Sequence, residues 1–312
     1  MKIKVAAVQM VSQNKNFEEN RLRAEKYISE AVDKGAKLIL LPEFALAGYL
    51  YTDDFWSMAE PLKGKTYSWL KSMSEMHGVY IGTCILERDH SDFYDTFILT
   101  GPGQNELWTH RKIEAPSYES YLFKGVGVNR NVFETPIGRI GVIICFDSAK
   151  AHTLSGLING SAEIVLIAYS FPCLPEYFTK NDRQNWIDAY LKTPLIYSER
   201  MHVPVVVSNK SGRFSSPVPI GVGDFDSDFA GGSSICDKEN NMLCRLNEDE
   251  TGVLVSEVAL GRGSDLMLPD KKSLKGWLLP FSLKIKVIME INRKLGTIRY
   301  KFSKKRKRVL KA

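Results

Sequence analysis

Three residues able to share one reaction stand at the ends of three strand-like runs: Glu43 after LILLP, Lys112 after ELWTHR and Cys145 after GRIGVII. A thiol becomes a nucleophile when a base takes its proton or a cation lowers its pKa, and Glu43 can be that base. When the sulfur attacks a carbonyl or nitrile carbon, negative charge grows on oxygen or nitrogen, where Lys112 and the backbone N–H of Phe146 can stabilise it. The products are a thioester and a departing amine or ammonia. The same glutamate, now protonated, can donate to that leaving group and then draw a proton from the water that hydrolyses the thioester. Taken singly, a cysteine closing an apolar strand is more often a buried small hydrophobe; the three residues together carry the case.

Positioning them requires strands. In an open α/β sheet the loops leaving the carboxyl ends of strands converge on a shared crevice, and the short continuous apolar runs Leu38 to Leu41 and Val142 to Ile144 suit strands covered on both faces. Strand-like runs fall near 3–9, 37–41, 79–86, 93–99, 105–110, 139–145, 163–168, 203–208, 232–236 and 252–258, with helical stretches at 65–77, 149–159 and 184–201. A further helix opens at Asn16, with Glu19 completing a capping box. Its buried stripe is expected at Leu22, Tyr27, Ile28, Ala31 and Val32, and Gly35 ends it. This alternation predicts an α/β fold, and a chain of 312 residues with 44% hydrophobic content and no linker in its first 260 or so residues suits one large domain.

MKIKVAAVQM reads as a strand, not a signal peptide. The five cysteines lack paired metal-ligand spacings, so neither a disulfide framework nor a metal site is expected, and a cytoplasmic location fits. No phosphate-cradling or nicotinamide motif predicts a cofactor; GVGVNR at 125–130 and GVGD at 221–224 read as turns. From Arg293 to the end there are ten Lys/Arg residues and no acid, so the formal net charge of +6 becomes −4 without them. The basic character belongs to the tail, whose KKRKR cluster suits acidic lipid head groups, nucleic acid or an acidic partner, or only a solubilising tail. No recognised module predicts specific nucleic-acid binding. Before the cluster, GWLLPFSLKIKVIMEINRKLG is too interrupted to span a bilayer; it suits either an anionic membrane interface, making the protein peripheral, or packing against the domain or a second subunit.

Several segments in order resemble the nitrilase superfamily of carbon–nitrogen hydrolases: KVAAVQM, LILLPEFALAGY, HRKIEAPSYESYLFKGV, FETPIGRIGVIICFD, VPVVVSNKSG and FAGGSSICD, across about residues 3 to 262. The resemblance implies a four-layer αββα sandwich in which Glu43 is the general base, Lys112 the oxyanion-side cation and Cys145 the nucleophile. It also implies a second glutamate, Glu119 in SYESYLF, which positions Lys112 or the attacking water; Glu114 is a weaker competitor. The domain would span 1–262, with 263–312 as a C-terminal extension, and a homodimer or higher homo-oligomer is implied.

Phe146-Asp147 is more similar to the aromatic-Asp pair of the superfamily's amidases and carbamoylases than to the Trp-Glu of nitrilases. That implies cofactor-free hydrolysis of a small carboxamide, an ω-amide or an N-carbamoyl compound. Acyl transfer to an amine through the same thioester, or a non-catalytic scaffold docking by its tail, are the alternatives. The chain departs from the family pattern at SAKAHTLSGLINGSAEIV, which lacks the usual Phe-Pro-Glu, and at Tyr197-Ser198-Glu199-Arg200 in place of Arg-Ala-x-Glu-Asn. Tyr169, Ser170 and Phe171 are expected to line the substrate pocket, while the sequence does not choose among Glu176, Tyr177, Asp182, Arg183 and Trp186. His110, two residues before Lys112, can share its strand face; His152 reads as structural or exposed, and no Cys-His protease signature is present.

Overall fold

The computed structural model describes residues 1–90, 92–104, 106–219, 223–268 and 276–310. In chain order its strands are β1 (Lys2–Gln9), β2 (Leu38–Leu40), β3 (Tyr80–Asp89), β4 (Asp92–Thr100), β5 (Trp108–Arg111), β6 (Val132–Thr135), β7 (Gly138–Ile144), β8 (Ile164–Ala168), β9 (Val205–Ser208), β10 (Arg213–Pro217), β11 (Asp224–Asp228), β12 (Ser234–Cys236), β13 (Met242–Arg245) and β14 (Gly252–Ala259). The helices are α1 (Phe17–Asp33), α2 (Lys65–His77), α3 (Ala151–Asn159), α4 (Lys180–Leu191), α5 (Thr193–Met201), α6 (Leu283–Phe302) and α7 (Lys304–Val309).

One sheet runs β14-β1-β2-β3-β4-β5 and the other β13-β12-β9-β8-β7-β6, each with three parallel strands in its middle and antiparallel strands at its edges. The two sheets face each other through β1 and β2 against β9 and β12. Helices α1 and α2 cover the outer face of the first sheet, where Ala24, Ile28, Leu70 and Met73 pack with Ile39, Ile81 and Ile98. Helices α3 and α5 cover the second, completing the αββα sandwich. Residues Ile164–Ala168 are buried on both faces, which is why they read as an unbroken apolar run. Each such aliphatic side chain contributes about 1.5–3 kcal/mol relative to leaving it in water.

The structure corrects several expected elements. The stretch 184–201 is two helices, α4 and α5, because Pro194 has no N–H to continue a helix and instead sits in the first turn of a new one. Leu22 is exposed and Asn20 takes its place in the buried face of α1; the Asn20 amide donates to the Gln13 and Leu46 carbonyls at 2.7 and 3.0 Å, so the polar residue is satisfied there. Asn16 caps α1 by accepting from the Glu19 N–H at 3.3 Å, but the Glu19 carboxylate accepts from the Asn16 side-chain amide instead of its backbone N–H. Strands β6, β10, β11 and β13 were not expected; β10, β11 and β13 have exposed alternate residues and are too short for a strong apolar signal. Asn105 of the expected 105–110 run, and Gly221 and Val222 of GVGD, lie outside the described residues.

The C-terminal segment folds back over the domain. Leu278 N–H donates to the Ala149 carbonyl at 2.7 Å, Leu279, Phe281 and Ile285 are buried, and α6 lies across the one-and-a-half-turn 3-10 segment Ser117–Tyr121. The tail is anchored too: Lys305 meets Asp53 at 2.8 Å and Arg306 pairs with Asp92. The outer face of α6 leaves Leu283, Val287, Ile291, Leu295, Ile298 and Phe302 exposed. Among the described residues no helix is long and apolar enough to cross a membrane.

Gly296 allows α6 to approach that segment, since a Cβ there would sit 1.9 Å from Ser120 Oγ and 2.6 Å from the Tyr121 ring. Gly296→Ala gains about 1 kcal/mol in helix propensity but overpacks this contact at about 1–3 kcal/mol. Thermal unfolding should therefore show a lower midpoint for Gly296→Ala; a raised midpoint would mean that the two segments separate freely.

Candidate active site

Glu43 follows the end of β2 and is tied to the second sheet. Its own N–H donates to the Tyr169 carbonyl at 3.2 Å. Ser170, just past β8, donates its N–H to Glu43 Oε2 and its hydroxyl to the Glu43 carbonyl, both at 2.7 Å. The carboxylate therefore has little rotamer freedom.

Lys112 follows β5, where successive side chains point to opposite faces. Arg111 turns one way, onto Glu87 at 2.8 and 2.6 Å and Asp89 at 2.8 Å. Lys112 turns the other way and is fully buried. Its Nζ donates to Glu43 Oε1 at 2.8 Å and Glu119 Oε2 at 2.7 Å, and lies 3.1 Å from Asp95 Oδ2. Asp95 stands opposite because the Lys112 N–H continues the β4–β5 ladder to the Asp95 carbonyl at 2.8 Å. Glu119 comes from the 3-10 segment Ser117–Tyr121, and the Tyr49 hydroxyl donates to its other oxygen.

Cys145 is not the last strand residue but the first of a 3-10 turn, Cys145–Ala149, with a left-handed φ of 44°. A non-glycine residue held there stores backbone strain of about 1–3 kcal/mol and is found preferentially at functional sites. Asp147 in the same turn accepts from the Ile113 and Glu114 N–H groups at 2.8 and 3.0 Å, clamping the cysteine turn to the residues that follow Lys112. One sulfur and two carboxylate oxygens, from Cys145, Glu43 and Glu119, all lie within 4.8 Å of one another. Three such ligands can in principle share a metal ion, but the Lys112 ammonium already sits within 2.8 Å of both carboxylates, so a second cation there meets direct repulsion.

Electrostatics follow from burial around the Lys112 ammonium. Burial opposes ionisation of Glu43, but Lys112 with help from Asp95 and Lys210 holds its pKa below the usual glutamate value. Burial, reinforced by the Glu43 carboxylate, pushes the Cys145 thiol well above its ordinary range despite Lys112. Burial also raises Asp95 well above the usual aspartate range and Glu119 to about 7. Burial opposes charge on Lys112, yet Glu119, Glu43 and Asp95 overcome it and keep the ammonium charged. The site at rest thus holds a neutral thiol beside an ionised glutamate.

Beside this cluster lies a pocket with about 740 Å³ of empty space, open mouth included, reaching Cys145, Glu119, Ser170 and Phe171. The ring of Phe146 also lines it. Tyr169 does not: its hydroxyl is engaged with Ser148 Oγ at 2.7 Å inside the protein. Phe171 stacks between Trp186 and Tyr190, each 4.5 Å away. Tyr177 and Trp186 line the pocket, Asp182 instead pairs with Lys284 at 2.7 Å, and Glu176 and Arg183 line a neighbouring groove. His110 is buried against the Arg130 carbonyl at 3.2 Å, with its pKa pushed down to about 4 by burial, and does not join the cluster. His152 and Lys150 lie near Glu114, at 3.9 and 3.5 Å.

Two buried groups escaped the sequence reading. Asp95 was detectable only through the β4–β5 register. Lys210 in VPVVVSNKSG is fully buried, donates to the Gly48 carbonyl at 2.9 Å and has its pKa lowered to about 7 by burial; nothing local distinguishes it from a surface lysine.

The sequence profile of the carbon-nitrogen hydrolase family matches residues 4–266. A nitrilase of Pyrococcus abyssi is 32% identical over 162 residues, a match covering 49% of this chain and 62% of that protein. An N-carbamoylputrescine amidase of Oryza sativa is 26% identical over 83% of this chain and 86% of that protein. Among solved structures, a carbon-nitrogen hydrolase from Helicobacter pylori superposes with a TM-score of 0.73 at 15% identity, covering 83% of this chain and 90% of that one, which establishes likeness of fold.

Because the folded pKa of Glu119, about 7, lies above its ordinary 4.5, its contribution to stability is present below 4.5 and is lost as pH rises towards about 7. Glu119→Gln removes that titration while leaving other groups in place. The wild-type melting temperature should fall relative to the variant's across this window; parallel pH curves would contradict the assignment.

Proposed function

The chain belongs to the carbon-nitrogen hydrolase family, a hydrolase of carbon–nitrogen bonds other than peptide bonds, and on that premise we propose that Cys145 is its nucleophile, Glu43 its general base and Lys112 its oxyanion-side cation. The observation that carries this reading is the gathering of the Cys145 sulfur and the Glu43 and Glu119 oxygens within 4.8 Å of one another about the Lys112 ammonium. Glu119 is a positioning residue: with Tyr49 it holds Lys112 in place.

A neutral thiol beside a carboxylate defines the order of events. Glu43 takes the Cys145 proton as sulfur bonds to the amide carbon. The carbonyl oxygen becomes an oxyanion, stabilised by Lys112 and the Phe146 N–H. Two Nζ protons are committed to Glu43 and Glu119 and Nζ lies 3.1 Å from Asp95 Oδ2, so the oxyanion competes with Asp95 for the third. As the C–N bond breaks, Glu43 returns its proton to the leaving ammonia or amine. Water then attacks the thioester while Glu43 takes one of its protons, the C–S bond breaks as Glu43 passes that proton to the sulfur, and the carboxylic acid product leaves with thiol and carboxylate regenerated. Burial of the whole set strengthens each of these charge interactions.

The substrates we propose are a small carboxamide, an ω-amide or an N-carbamoyl compound, supported by the amidase among the relatives and by Phe146-Asp147 beside the nucleophile. We further propose 1–262 as the catalytic domain and 263–312 as an extension that completes the pocket, supported by the packing of α6 on the turn that carries Glu119.

Intact-protein mass spectrometry with a panel of amides tests the roles. Wild type should gain an acyl adduct and release ammonia, whereas Cys145→Ala should form no adduct and lose about 10⁴-fold or more in kcat/KM with an unchanged melting temperature. An adduct of equal yield on Cys145→Ala would overturn the assignment.

A further inference from the structure

We propose that α6 is a specificity element and that the acyl part of the substrate is uncharged and apolar, an alkyl or aryl carboxamide; this rests on the hydrolase reading above and narrows it. The pocket beside Cys145 takes one wall from α6, through Ile285, Ile288, Met289 and Asn292. These positions follow the i, i+3, i+4, i+7 spacing of a single helix face. The family profile ends at residue 266, before α6 begins at Leu283, so this wall belongs to the chain's own extension and its selectivity need not follow that of the relatives.

Among the described residues lining the pocket, Glu119 is the single side chain of the Asp, Glu, Lys or Arg type, and it is held by Lys112 and Tyr49. The other walls are largely aromatic, including Tyr51, Tyr118, Phe171 and Phe225. The lysines of α6 are directed elsewhere: Lys284 bonds Asp182 at 2.7 Å and Lys286 lies 5.5 Å from the centre of the Trp277 ring. A substrate carboxylate entering this pocket would lose its water without gaining a cationic partner, and an ammonium would find only the engaged Glu119 and aromatic faces worth about 2 kcal/mol, less than the cost of desolvating a charge. An alkyl or aryl group gains from the same burial. Carbamoylated diamines such as the compound in the rice relative's name keep a free ammonium, and no acidic side chain lies on the α6 wall to pair with it. Charged side chains of both signs, among them Glu176, Arg183, Arg213 and Asp226, line a separate groove that meets the pocket at Leu174 and Tyr177 and does not include Cys145, and Arg213 is paired there with Asp226 at 2.5 Å. Short charged acyl groups are thus excluded.

The test compares three amides of equal chain length: valeramide, ω-aminovaleramide and glutaramate, read as ammonia release and as acyl adduct on Cys145. Wild type should favour valeramide over both charged analogues by about 100-fold in kcat/KM. Ile288→Asp, at a half-buried position, should move the ratio of aminovaleramide to valeramide about 100-fold towards the ammonium, while Val287→Asp on the exposed face of the same helix should leave the ratio unchanged. Ile288→Ala, which introduces no charge, should lower kcat/KM for valeramide with the melting temperature preserved, so that a misfolded Ile288→Asp does not decide the matter. Equal or better use of the charged amides by wild type, or an unmoved valeramide rate in Ile288→Ala, would overturn the specificity proposal while leaving the hydrolase reading intact. Absence of ammonia and of any Cys145 adduct with all three and with aryl carboxamides would instead sink the hydrolase reading, and this proposal with it.

Discussion

A fully buried ammonium held among carboxylates organises this protein. Lys112 touches Glu43 and Glu119 directly and lies against Asp95, and without it three buried acids would keep only Lys210 to offset their charge. Such a group is tolerated because its partners are fixed: removal of one member of a buried ion cluster costs about 3–5 kcal/mol, since the remaining charges are left unpaired. The arrangement also sets the distribution of protons. One carboxylate, Glu43, is kept ionised beside a thiol that burial keeps neutral. In the proposed mechanism the proton therefore moves during attack, not before it.

The fold supplies that cluster by bringing strand ends of two facing sheets to one point. Glu43 and Lys112 leave the first sheet, Cys145 and Ser170 leave the second, and a few hydrogen bonds tie the four loops together. Asp147 joins the cysteine turn to the backbone after Lys112, and Ser170 joins the second sheet to Glu43. The C-terminal helix then lies on the turn that carries Glu119 and closes the pocket from outside the sandwich. Positioning, substrate access and the extension are thereby one mechanical unit.

Much of this was legible in the sequence. The apolar runs before Glu43 and Cys145 announce buried strands, and the structure brings Glu43, Lys112, Glu119 and Cys145 into one cluster. What escaped depends on three-dimensional register. Asp95 lies seventeen positions before Lys112 in the chain and becomes its neighbour only through antiparallel pairing. Lys210 looks like any surface lysine until its bridge to Met10 and its bond to the Gly48 carbonyl place it inside. Tyr169 was expected in the pocket with Ser170 and Phe171, yet its hydroxyl meets Ser148 and its ring packs edge-on against Phe171 and Tyr190, behind the pocket wall. Asn20 displaced Leu22 from the buried face of α1 because a satisfied polar group can cap a loop that a leucine cannot. The role of α6 was hidden for another reason: its apolar residues run around much of the helix, and periodicity does not say which of them meet the domain.

The most direct test of the central claim is the ultraviolet thiolate absorbance of wild type minus that of Cys145→Ala, followed against pH in the folded protein. The account predicts no difference at neutral pH, with thiolate appearing only above the ordinary cysteine value of 9.0. A full thiolate signal at neutral pH would show a preformed sulfur–ammonium pair and contradict Glu43 as the base that activates Cys145.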